Sequence, residues 1–113
     1  MPSIALTRLI EKMKLENLTP EIEVKGIRLT QPDLNRPALQ IAGYFEHFDA
    51  TRLQVIGFVE YTYLEGLDDR RKREVYDELM EYEVPAIVFC RELIPDPICV
   101  SAARVHRVPL LST

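Results

Sequence analysis

Pro85-Ala86-Ile87-Val88-Phe89-Cys90 is a near-continuous apolar run opened by a proline. A strand with one wet face alternates apolar and polar residues, and this run does not. Strands buried on both faces read this way, and they belong to parallel sheets covered by helices. Val108-Pro109-Leu110-Leu111, at the chain end, is a second such run, and Leu53-Gln54-Val55-Ile56-Gly57, closed by glycine, is a third. Between them lie two helical segments. Residues 68–82 carry the stripe Val75, Tyr76, Leu79, Met80 among charges. Pro95 and Pro97 flank the start of the next helix, with Ile98, Cys99, Ala102 and Val105 expected on its inner face. Strand, helix, strand, helix, strand over 53–111 is two successive βαβ units, each with a right-handed crossover. The predicted fold class is α/β: a three-layer domain with a mostly parallel sheet.

The first 50 residues add a helix, an edge strand or two and a capping helix. Leu6, Leu9, Ile10 and Met13 share one face of a predicted helix over 3–15, with Ser3 as its N-cap. Ile22 and Val24 alternate with Glu21, Glu23 and Lys25, and Gly26 interrupts before Ile27 and Leu29, which predicts one or two short strands. Thr30 to Pro37 reads as a turn-rich linker. Pro37 suits the first position of a second helix. Ala38, Ile41, Ala42, Phe45 and Phe48 recur at helical spacing, and Leu39 and Tyr44 widen that face, so this helix is expected to be well buried.

The chain has 113 residues, 47% of them hydrophobic and 28% charged. One domain is expected at this length, with a core that needs no staples. The apolar content argues against disorder, and no apolar run is long enough to span a bilayer. A formal charge of −4 disfavours a nucleic-acid partner, since that role ordinarily shows as a basic stripe. Charges at Arg8, Glu11, Lys12 and Lys14 break any signal-peptide core, so a cytoplasmic location is expected, with Cys90 and Cys99 reduced.

Chemistry is sparse. The glycines at 26, 43, 57 and 66 fit neither G-x-G-x-x-G nor G-x-x-x-x-G-K-[ST], so the usual phosphate cradles are missing. His47 and His106 have no ligand partner at metal spacing, and a structural role is the plainer reading for both. Cys90 and Cys99 read as buried small hydrophobes, the alternative being a reactive thiolate. Asp68 to Glu74 is either a basic patch for an acidic partner or a solvated face with Arg70–Glu74 and Arg73–Asp77 pairs. No carboxylate pair is legible as an acid/base dyad. The candidate binding residues are Asn35 and Arg36. Pro37 keeps Arg36 out of the helical region. Asn35 or Asp33 can then bond the free N–H groups of the helix start. Arg36 can bind an anion or a carboxylate in a neighbouring element. A helix-entry structure with a salt bridge is the preferred reading.

The string Asn35-Arg36-Pro37-Ala38-Leu39-Gln40-Ile41-Ala42-Gly43-Tyr44-Phe45 is followed by Phe48, Arg52-Leu53-Gln54-Val55-Ile56-Gly57 and Glu60-Tyr61-Thr62-Tyr63-Leu64. Val84 to Val88 and Val108 to Ser112 continue the set. Together these resemble the N-terminal domain of HPr kinase/phosphorylase. The chain departs from that pattern at Ala38 and Glu92, where glycine is usual, and at Arg104-Val105-His106-Arg107, where an aromatic-glycine pair is usual.

The resemblance implies an α/β fold like that of the first domain of the dipeptide-adding Mur ligase. It implies a regulatory or assembly domain of a bifunctional enzyme that phosphorylates and dephosphorylates a serine of HPr. That enzyme controls bacterial carbon use through the sugar phosphotransferase system. ATP and magnesium would belong to a separate C-terminal P-loop kinase domain, not to this chain, expected to be a single non-catalytic domain over 1–113. The implied partners are HPr, that kinase domain and further copies of the chain, since full-length members are hexamers. No nucleic acid or membrane is implied. An alternative is a stand-alone sensor of a sugar phosphate or nucleotide, binding beyond the carboxyl ends of the strands near Gly57, Cys90 and Leu111. A third is a minor enzyme using Cys90 or a histidine.

Overall fold

The computed structural model describes residues 3–31, 34–46 and 48–113. In chain order the elements are β1 (Ile4–Ala5), α1 (Leu6–Met13), β2 (Glu16–Asn17), β3 (Arg28–Leu29), β4 (Leu34–Asn35), α2 (Ala38–Ile41), β5 (Leu53–Ile56), α3 (Phe58–Glu65), α4 (Asp69–Glu81), β6 (Ile87–Phe89), α5 (Pro97–His106) and β7 (Leu110–Ser112). Among the described residues, one sheet runs β2-β7-β6-β5-β4. Its β4–β5, β5–β6 and β6–β7 pairings are parallel, and β2 joins β7 antiparallel. β1 and β3 form a separate antiparallel pair.

The apolar runs work as predicted because each strand serves two cores. Register places Ile56 beside Phe89 and Ile87 beside Leu110, all in the core that α2 to α5 cover. The intervening Val55, Val88 and Leu111 form the opposite row, with Leu6, Leu9 and Ile10 of α1. Alternation is present, but both faces are apolar, as a three-layer arrangement requires.

Helix α4 lies where its stripe predicts. Asp68 caps it, its Oδ1 accepting the Arg71 N–H at 2.8 Å, and Val75, Tyr76, Leu79 and Met80 are buried. Asp96 caps α5 by accepting the Cys99 N–H at 2.9 Å, and Pro97 occupies its first turn. Lys72 threads its stem into the α4–α5 contact and sets its ammonium 3.6 Å from Asp96.

Several expectations are corrected. Ser3 caps no helix. Helix α1 starts at Leu6 after the two-residue β1, and the Ser3 Oγ accepts an Arg28 Nε bond at 2.8 Å. Of the one or two strands expected over 21–29 one is present, β3, while Ile22 packs into the core from a turn. The linker contains β4, a parallel edge strand. Helix α2 is one turn long: Gly43 at φ +102° leaves the right-handed region, so Leu39 and Tyr44 stand exposed. Phe45 and Phe48 reach the core from the following loop, Phe45 stacking on Tyr82 at 4.8 Å between centroids. Val105 is exposed and Ala103 takes the inner position, since the chain leaves α5 through Arg107 in the left-handed region. Finally, the β5–β6 crossover carries α3 as well as α4. Phe58 to Glu65 has no apolar stripe at helical spacing and is rich in aromatic and β-branched residues, so neither periodicity nor propensity marks it as helix.

Candidate functional site

Asn35 ends the edge strand β4, and Arg36 follows it where the chain turns into α2. The Asn35 Nδ2 donates to Gln54 Oε1 at 2.6 Å and to Gln40 Oε1 at 3.2 Å. Gln54 is wholly buried in the middle of β5, and its Nε2 donates to the Arg52 carbonyl at 2.8 Å. Gln40 passes the network to the Tyr44 carbonyl at 3.2 Å. Every polar end of this buried chain has a partner, as burial demands. Asn35 therefore clasps β4, β5 and α2 together and does not cap the helix start. Asp33, its alternative in that role, lies outside the described residues.

Arg36 meets a carboxylate in a neighbouring element, one of the two partners its position allowed. Its Nε donates to Glu60 Oε1 at 2.9 Å and its Nη2 to Glu60 Oε2 at 3.2 Å. Glu60 is only 4% exposed, whereas the Arg36 side chain is 54% exposed. The Glu60 Oε1 also accepts the Gly57 N–H at 2.7 Å. A Cβ on Gly57 would stand 2.3 Å from Arg36 Nη2, so a glycine lets the guanidinium lie against the backbone.

This geometry defines what the site can do. In nucleotide-binding α/β folds a phosphate sits on the N-terminus of the helix that follows a strand. Here the N-terminus of α3, immediately after β5, is filled by the chain's own Glu60 carboxylate, and Arg36 neutralises that charge. The anion position is closed from within. Around the clasp, Leu39, Phe58, Val59 and Tyr63 are exposed. They form an apolar rim with the character of a contact surface rather than a catalytic cleft.

Neither Gln40 and Gln54 as the partners of Asn35 nor Glu60 as the partner of Arg36 was legible. Two signals were available: a glutamine inside an otherwise apolar strand, and a glutamate three residues after a strand-ending glycine.

The other candidates are accounted for separately. His106 Nε2 lies 3.0 Å from Asp77 Oδ1, and Arg73 Nε bonds both oxygens of the same carboxylate at 3.0 and 3.2 Å. His47 lies outside the described residues. Arg70 and Arg73 pair with Glu74 and Asp77 at 3.7 and 3.0 Å, which makes the charge run a paired, solvated helix face. Among the described residues no three His, Cys, Asp or Glu side chains converge as a metal site would need.

Both cysteines are free thiols. Cys99 is wholly buried beside Tyr76, and burial pushes its thiol well above the ordinary range, with Asp96 adding to the shift. Cys90, at the carboxyl end of β6, is half-buried. With a thiol reagent at neutral pH, Cys90 is expected to label in the native protein and Cys99 only in denaturant. Native labelling of Cys99, read by peptide mapping, would contradict the burial described.

A cavity of about 570 Å³ lies beside Ala50, Thr51, Val84, Pro85 and Val108, at the amino ends of β5, β6 and β7. The sequence pointed to the opposite, carboxyl ends. Arg28 and Arg107 bring positive charge to its rim and Glu83 a carboxylate.

Fold and site together define a mostly parallel α/β domain with no phosphate cradle, whose distinctive polar cluster is a structural clasp. The family described as "HPr Serine kinase N terminus" matches residues 4–113. The chain belongs to that family. An HPr kinase/phosphorylase of Lachnoclostridium phytofermentans is 42% identical over 113 residues, covering 100% of this chain and 37% of that protein. Proteins of the same name from Alkaliphilus metalliredigens and Streptococcus equinus are 36% and 30% identical over 99% and 98% of this chain, and each is covered over 36% of its length. The chain thus spans a little over a third of the length of these relatives.

Proposed function

We propose that this chain acts as the non-catalytic regulatory and assembly domain of an HPr kinase/phosphorylase. The observation that carries the reading is the match over 4–113 to the N terminus of that family. On this reading HPr is the substrate of the whole protein, which works in the cytoplasm as an oligomer. ATP and magnesium are held by the kinase domain. The self-filled N-terminus of α3 supports the division of labour, because this domain offers no phosphate site at the end of β5. Incubated with HPr, ATP and magnesium, the 113-residue chain is expected to transfer no phosphate. Phosphoserine on HPr, detected by mass spectrometry, would overturn the reading.

A second reading, a small-molecule sensor, draws on the 570 Å³ cavity with its two arginines. A sugar phosphate at 100 times its Kd would stabilise the fold by about 2.7 kcal/mol, readily seen in thermal denaturation.

A further inference from the structure

On the α1 side of the sheet the cover is incomplete. Helix α1 walls a groove of about 200 Å³ with Leu9 and Met13; Leu34, Val55 and Val88 line it from the sheet, and Thr113 closes one end. Met13 and Leu34 are 61% and 58% exposed. On this face β5 presents Leu53 and Val55, and Val55 is only partly covered, so the second layer stops short of it. Something apolar is expected there.

The chain's course indicates what. From β4 to β7 it steps in one direction across the sheet, and the helices between these strands lie on the Ile56–Phe89 side. Right-handed crossovers in one direction place helices on one face; a right-handed path turning back goes over the other. That other face carries the groove. The Thr113 N–H donates to the Phe89 carbonyl at 3.1 Å, so residue 113 is held at the carboxyl end of the sheet and borders the groove itself. The matched region is the N terminus of its family and 37% of the Lachnoclostridium relative, so further polypeptide follows it there.

We propose that the groove is the docking site for the segment that follows position 113 in the full-length protein: an amphipathic stretch that turns back over β5 and β4 and lays its apolar side chains against Met13, Leu34 and Val55. This inference rests on the family membership but not on the kinase reading.

The test compares the 113-residue chain with the same chain lengthened by the ~20 residues that follow the matched region in the Lachnoclostridium relative. Leu34→Asp places a charge in the groove from an exposed position that the short chain tolerates. Its drop in Tm is expected to be larger in the lengthened chain by at least about 4 °C. Met13→Asp, at the opposite wall, repeats the comparison. The Met13 methyl resonance should also be shielded from a soluble paramagnetic agent only in the lengthened chain. A smaller difference in Tm for both variants, or equal exposure of Met13 in the two chains, overturns the proposal. Shielding in the short chain that grows with protein concentration also overturns it, because a second copy would then be the occupant. Phosphate transfer by this domain would sink the functional reading without touching this result.

Discussion

Replacing Glu60 with alanine is expected to cost about 3 kcal/mol of stability, and thermal denaturation should register a fall of roughly 10 °C or more. The Glu60 carboxylate is almost wholly enclosed, and it holds two donors at once: the Gly57 N–H at the head of α3 and the Arg36 guanidinium. Truncation strands the buried backbone donor and leaves a void. Stranding a buried donor alone costs about 1–3 kcal/mol. Arg36→Ala removes the other partner and is expected to cost less, about 1–2 kcal/mol, because an arginine with half its surface in water makes a screened ion pair. Glu60→Gln retains an acceptor for the Gly57 N–H and should fall between wild type and Glu60→Ala. A loss below about 1 kcal/mol for Glu60→Ala would show that the clasp does not hold α3 in place.

The second large effect runs in the opposite direction. Lys14, Glu83, Glu92 and Arg107 all adopt the left-handed region, with φ of 54°, 57°, 68° and 57°. Lys14 and Arg107 end α1 and α5, and Glu83 follows α4. A side chain in that region costs about 1–2 kcal/mol from its Cβ, a penalty glycine does not carry. Part of the gain is offset by glycine's greater freedom in the unfolded chain, leaving about 0.5–1 kcal/mol per site. All four replacements together are expected to stabilise the domain by about 2–4 kcal/mol, provided the sites act independently. Glu83 and Arg107 border the same cavity, so that pair should also be measured apart from the others. Glu81→Gly, inside the last turn of α4, is the control and should destabilise by about 1 kcal/mol. Denaturant midpoints of wild type, the quadruple glycine variant, the Glu83/Arg107 double glycine variant and the control decide the matter; a neutral or destabilised quadruple variant would contradict the backbone geometry. The same geometry makes position 92 suited to the glycine that the sequence resemblance led one to expect there.

Much of the framework was legible because a few residues carry strong local signals. Pro85 and the short, β-branched apolar run behind it, too brief for a helix, read as a strand with two covered faces. The stripe from Val75 to Met80 among charges marked an amphipathic helix, though its Asp68 cap came only with the structure. Helix α3 escaped because its apolar residues do not gather on one face: Leu64 packs into the core and Glu60 is buried, while Phe58, Val59 and Tyr63 are exposed. Helix α2 was overextended because Ala38 to Phe48 keeps helical spacing through Gly43, and spacing cannot reveal a positive φ. In the site, Asn35 and Arg36 were visible through Pro37. Their partners were not, since Gln54 and Glu60 lie 19 and 24 positions away, and only the sheet brings them together.

The two lateral boundaries of the sheet have a consequence for how such a domain gathers with copies of itself. β2 and β4 are each two residues long, and one of them runs against the direction of the rest. A ribbon growing strand by strand needs a long, unpaired ladder of backbone donors and acceptors as its template. Neither border supplies one. Copies of this domain that meet have these borders closed to strand addition and are left with side-chain contacts, whose symmetry then decides whether the assembly closes.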